Sequence, residues 1–80
     1  MRDVMRDVIE TIAQAMVDQP DLVSVNEIAG KYTSILELRV AKEDIGKIIG
    51  KQGRNADALR TILSAGSAKL KKRTVLEIVD

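Results

Sequence analysis

The chain reads as a small two-layer α+β domain, a three-stranded sheet carrying three helices on one face in the order α-β-β-α-α-β. Three observations predict it. Eighty residues make one domain, spanning 1–80, the default expectation. Three stretches repeat apolar residues at helical spacing, and three others alternate apolar with polar residues at strand spacing. Elements in this order bury their apolar sides by packing helices on one face of a sheet.

The first helix covers residues 2–17. Met5, Val8, Ile9, Ile12, Ala13 and Met16 form one apolar stripe. Arg2, Asp3, Arg6, Asp7 and Glu10 fill the other side as a solvated face, with Arg6 and Glu10 spaced to pair. Gln19-Pro20-Asp21 stops the helix, since proline disfavours helical geometry in the residue before it. Residues 22–28 are strand-like, with Val23 and Val25 alternating against Ser24 and Asn26. Ala29-Gly30-Lys31 is a turn. Residues 32–40 are the clearest strand, with Leu36, Leu38 and Val40 on one face and Ile35, Glu37 and Arg39 on the other. The short joint predicts an antiparallel pair.

Lys42-Glu43-Asp44 opens the next helix, with its acids in the first turn. Ile45, Ile48 and Ile49 supply an apolar face, of which two are expected in the core. Gly46 costs about 1 kcal/mol relative to alanine inside a helix, which points to a close approach by another group. Gly50 ends the helix. The following helix, 54–70, places Ala56, Leu59, Ile62, Leu63 and Gly66 at helical spacing. Lys69, Lys71, Lys72 and Arg73 cluster around its C-terminal end, where cations are favoured. Residues 74–79 form the last strand, with Leu76 and Ile78 on one face and Val75, Glu77 and Val79 on the other.

Composition excludes several classes. The chain has no cysteine and no histidine. Disulfides, thiolate metal sites, and the usual general base and nucleophile pairings are therefore absent. The remaining acids are dispersed, without metal-ligand spacing. The chain reads as a non-enzyme without cofactor or metal. No apolar run is long enough to span a bilayer, and the N-terminus lacks a signal-peptide core, so a soluble cytoplasmic protein is expected. Net charge is only +1, but it is unevenly spread. Residues 42–73 carry nine basic and three acidic side chains, whereas residues 1–41 carry four and seven. That asymmetry is the footprint of a polyanion partner.

The positive block surrounds Gly50-Lys51-Gln52-Gly53. Two glycines bracket a basic residue and an amide, between two helical runs. A tight joint of this kind exposes backbone N–H groups where a helix begins, and such groups suit a phosphate. Glycine lets a ligand approach the backbone without a Cβ in the way. Other phosphate motifs fail. Gly46 to Gln52 has one residue too few for a P-loop, and Gln52 stands where Ser or Thr is required. Gly46 and Gly50 have GxxxG spacing, but outside any long apolar helix. Tyr32 is the only aromatic residue, which disfavours the stacking platforms of RRM and OB modules.

The frame Ile48-Ile49-Gly50-Lys51-Gln52-Gly53-Arg54, inside an α-β-β-α-α-β order, resembles the KH domain in its bacterial, type II form. The likeness covers essentially the whole chain, and its length resembles the KhpA-like family of small stand-alone KH proteins. The resemblance implies single-stranded RNA as ligand, held by the amides of Gly50 to Arg54. Lys51 and Arg54 would add charge, with Lys47 and Arg60 nearby, and Gln52 would bond a phosphate or sugar. Bases would lie on an aliphatic groove to which Ile49, Ile45, Ile48 and Ile35 contribute. Ala56 departs from the family pattern, which usually has a larger aliphatic residue there, and so bears on groove depth. The resemblance also implies an RNA chaperone or post-transcriptional regulator linked to cell elongation and division. It implies a homodimer, and pairing with a larger KhpB/Jag-like RNA-binding protein. The adjacent pair Ile62 and Leu63, with Gly66, is the expected dimer surface. The competing reading is a protein-interaction module that acts mainly through dimerisation and binds RNA weakly or not at all.

Overall fold

Helix α1 (Val4–Met16) lays its apolar stripe on the sheet. Ile9 and Ala13 are fully enclosed, and Met5, Ile12 and Met16 pack around them. The computed structural model describes residues 4–70 and 73–79, without the side chains of 69 and 70. The Arg2–Asp3 start of the expected first helix, Lys71, Lys72, Asp80 and the Lys69 side chain lie outside the described residues. Arg6 does more than share a solvated face with Asp7 and Glu10: its Nε also donates to the Val25 carbonyl at 2.9 Å, pinning α1 to the first strand.

Pro20 opens a 3-10 turn at Pro20–Leu22, so the first strand, β1 (Ser24–Ala29), starts two residues later than its alternation suggests. Strand β2 (Thr33–Arg39) returns beside it. A second 3-10 turn, Lys42–Asp44, precedes a short helix α2 (Ile45–Ile49). Asp44 is therefore not simply an acid in a first helical turn. It is 1% exposed, and its carboxylate accepts the N–H groups of Asp18 and Gln19 at 3.3 and 3.0 Å. Those two donors lie just past the end of α1, where a buried amide must find an acceptor. Helix α3 (Arg54–Leu70) and strand β3 (Arg73–Val79) complete the chain.

The sheet order is β1-β2-β3. β1 and β2 are antiparallel, with Val25 opposite Leu38. β2 and β3 are parallel, with Leu36 opposite Leu76. A parallel neighbour needs a crossover, and α2 and α3 provide it. Leu36, Leu38, Val40 and Leu76 face the helices and meet Ile9, Ile48, Leu59 and Leu63 in one core. Ile28, Ile35 and Val75 form a row on the opposite, bare face.

Candidate nucleic-acid interface

Between α2 and α3 the chain reverses over Gly50–Gly53. Gly50 sits at φ 76°, ψ 175°, a conformation essentially restricted to glycine. A Cβ there would also lie 2.6 Å from the Asn55 side chain. That side chain is fixed, since Asn55 Nδ2 donates to the Lys47 carbonyl at 2.8 Å and so caps α2. Gly53 has φ 75°, and nothing lies within 4 Å of where its Cβ would be. Gln52, between them, takes φ 58°, ψ 26°, and is the only non-glycine with positive φ among the described residues. Such a conformation costs a non-glycine residue about 1–2 kcal/mol. Strain of this order persists where the surroundings impose it, and it concentrates at functional sites.

The five amides of residues 50–54 divide into two classes. Gly50 N–H donates to the Gly46 carbonyl at 2.8 Å, Gly53 N–H to the Gly50 carbonyl at 3.1 Å, and Arg54 N–H to the Lys51 carbonyl. The N–H groups of Lys51 and Gln52 have no acceptor among the described residues. The set of five amides expected to hold a sugar–phosphate backbone thus reduces to two adjacent donors. Arg54 Nη2 donates to Gln52 Oε1 at 3.2 Å, both side chains remaining exposed, so the guanidinium stays beside those donors. Neither Lys51 nor Arg54 meets a carboxylate among the described residues. Two cations beside two unpaired donors make a site for one negatively charged group.

The other expected members of the site fare differently. Lys47 Nζ lies 3.1 Å from Asp18 Oδ2 and 3.8 Å from Asp44 Oδ1. Its hydrogen bond with Asp18, and then the Asp18 charge, raise its pKa above the usual 10.5. Its positive charge is therefore already partly countered. Arg60 lies on α3 and lines a cleft facing β3, with Ser64 and Ser67. Ile48 is fully buried and Ile45 half-buried, while Ile49 is 40% exposed beside Gly50. Of the three, only Ile49 is left for an aliphatic groove. Ile35 points to the bare side of the sheet, away from α2 and α3, because it alternates with the core residues Leu36 and Ser34. Gly46 meets no close neighbour: nothing lies within 4 Å of its missing Cβ, and it opens to solvent on α2.

The expected dimer surface also separates. Ile62 is 38% exposed, whereas Leu63 is 1% exposed and belongs to the core. Gly66 faces α1 so closely that a Cβ would run into the Met5 sulfur. Ala56 is enclosed in the core. Sequence reasoning missed Asn55 and the bridging role of Asp44. An Asn in the first turn of a helix, where its amide favours bonds to nearby backbone, was the available signal for the first. Asp44 acts across 26 residues and left no local signal.

Against known proteins, the profile of the family described as KhpA/KhpB, KH domain, matches residues 6–78. The chain is 55% identical over 75 residues to the RNA-binding protein KhpA of Caldanaerobacter subterraneus subsp. tengcongensis, covering 94% of this chain and 100% of that one. It is 53% identical over 75 residues to the protein of the same name from Clostridium acetobutylicum, again covering 94% and 100%. The protein of that name from Aquifex aeolicus is 51% identical over 76 residues, covering 95% and 96%. No solved structure matches the chain.

Proposed function

The chain belongs to the KhpA/KhpB KH-domain family, and from that premise we propose that it binds single-stranded RNA through the Gly50–Gly53 loop. The observation that carries the reading is the pair of unpaired N–H groups on Lys51 and Gln52, flanked by the Lys51 and Arg54 cations. These donors take a phosphate of the strand. The Gln52 side chain, held by Arg54, lies beside them for a second phosphate or a ribose. Ile49 and the open surface over Gly46 give the adjoining nucleotide an apolar, unobstructed bed. The relatives are named RNA-binding proteins, which favours RNA over DNA. A 2′-OH contact is what tells the two apart.

The test is the double variant Lys51→Asp/Gln52→Asp, assayed against a fluorescent single-stranded RNA and its DNA counterpart. Binding is lost through repulsion of phosphate, while the melting temperature stays within a degree or two of the parent, since both residues are exposed. Normal RNA binding by this variant would refute the loop assignment. If Lys51 and Arg54 neutralise roughly two phosphates, log affinity falls against log salt with a slope of about −1.4. A slope near zero would contradict the same picture.

A homodimer is a second part of the reading, and of the expected surface Ile62 on α3 is the member left exposed to make it. A dimer would strengthen one small groove by avidity. Ile62→Asp yields a monomer in sedimentation if this surface is used. A chain already monomeric at high micromolar concentration removes the idea.

A further inference from the structure

The two edges of the sheet are treated differently. At β1, the Arg6 guanidinium crosses from α1 to the Val25 carbonyl. At β3, one side of the strand pairs with β2, and no hydrogen bond to the outer side is made by another element among the described residues. Beside that edge runs a cleft of about 460 Å³ between α3 and β3. Arg60, Ser64, Ser67 and Ala68 line it along α3, and four consecutive residues of β3, 73–76, line it along the strand. Successive strand side chains point to opposite faces. Four in a row lining one cleft therefore means that the strand edge itself, with its backbone donors and acceptors, forms the wall.

The chemistry of the cleft selects an occupant. The buried Leu63 and Leu76 close the cleft at its base, and the small side chains of Ser64, Ser67 and Ala68 leave room above them. The Ser67 hydroxyl, on a residue 7% exposed, has no hydrogen-bond partner among the described residues. Arg60 and Arg73 stand within the lining, and neither has an ion-pair partner among the described residues. No acidic residue lines the cleft among the described residues. An unpaired strand edge beside a helix takes an extended peptide as an added strand, with main-chain bonds giving affinity and alternate side chains giving specificity.

We propose that the α3–β3 cleft docks an extended acidic segment of a partner protein as a fourth strand on β3. Its carboxylates pair with Arg60 and Arg73, and its apolar side chains on the helix side fill the space left by the small residues Ser64, Ser67 and Ala68. The cleft is lined by α3 and β3 alone, with no residue of α2 or the glycine loop in its wall. The inference does not depend on RNA binding.

The experiment titrates the isotope-labelled full chain with a blocked peptide alternating glutamate and valine, and follows its amide resonances. Shifts confined to residues 64–68 and 74–76 are expected. Arg60→Glu/Arg73→Glu weakens binding about tenfold or more, and so does Ser64→Trp, which fills the cleft without changing charge. Retained amide dispersion certifies the fold of each variant. A lysine-for-glutamate peptide binds weakly, and so does a peptide N-methylated at alternate residues, which lacks the main-chain donors. Lys51→Asp/Gln52→Asp leaves peptide binding unchanged. The proposal is overturned if the N-methylated peptide binds equally well. It is also overturned if inorganic phosphate or an RNA oligonucleotide moves the same amides while the peptide does not. Self-association abolished by Arg73→Glu would place a second copy there instead and overturn it too.

Discussion

Two turns in this molecule have a glycine followed by a lysine, Gly30-Lys31 and Gly50-Lys51, and they end up opposite in character. The first joins β1 to β2 and closes on itself, with Gly30 N–H donating to the Thr33 carbonyl at 2.8 Å. Gly30 is there because a Cβ would sit 2.7 Å from that same carbonyl oxygen. The second joins α2 to α3 and stays open. It uses positive φ at Gly50, Gln52 and Gly53 and leaves two N–H groups without an acceptor among the described residues, and Gly53 faces empty space. A glycine beside a cation therefore identifies neither turn. What separates them is where the backbone donors go.

The comparison can be broken most sharply by charge reversal. Lys51→Asp/Gln52→Asp should cost about 100-fold in RNA affinity, from two lost charge-assisted contacts and new repulsion. Lys31→Asp in the closed turn should change affinity less than about twofold, because an exposed charge that makes no direct contact with the strand acts only through screened solvent. Equal losses in a filter or anisotropy assay would show that the two turns are equivalent and that general charge is what matters.

Next in size is Asp44→Ala. It strands the amides of Asp18 and Gln19 next to α2, the helix that leads into the open turn, and should cost about 3 kcal/mol. Thermal unfolding should fall by roughly 15 °C for a domain of this size. A shift of only a degree or two would mean water replaces the carboxylate freely. Smaller effects come from the glycines. Gly30→Ala should cost about 1–3 kcal/mol through collision with Thr33, leaving RNA affinity intact. Gly53→Ala should cost about 1–2 kcal/mol through its positive φ and should also weaken RNA, since its methyl enters the approach path. Gly46→Ala gains up to about 1 kcal/mol in helix stability and loses RNA affinity, two effects of opposite sign that one chemical denaturation series and one binding series separate.

The smallest effect is that of pH. Lys47 has a raised folded pKa, chiefly from Asp18, so its pairing contributes fully below 10.5 and fades only as pH climbs through the higher folded value. The urea midpoint should carry no Lys47 signature near neutrality, and Lys47→Met should remove a decline confined to strongly alkaline solution.

Element order, strand faces and the position of the loop were legible because they depend on local periodicity. Leu36, Leu38 and Val40 alternate in the chain and share the core in the fold. The antiparallel pairing of β1 with β2 followed from the short turn between them. What lay hidden depends on contacts between distant residues. Lys47 looked like a free cation until Asp18 was brought to it, 29 residues away in sequence. Arg60 looked close to the loop along the chain, but the helical rotation of 100° per residue turns it toward β3. Ile62 and Leu63 are neighbours with opposite fates for the same reason. Within the loop, the spacing of glycines marked the place, while the division of its amides into three bonded and two unbonded required the dihedral angles.

The most direct measurement is the amide spectrum of the isotope-labelled chain as single-stranded RNA is added. The Lys51 and Gln52 amide protons should move downfield and saturate together with binding, while those of Gly50 and Gly53, already bonded inside the loop, shift far less. Saturable RNA binding that leaves the Lys51 and Gln52 amides where they were would contradict the account.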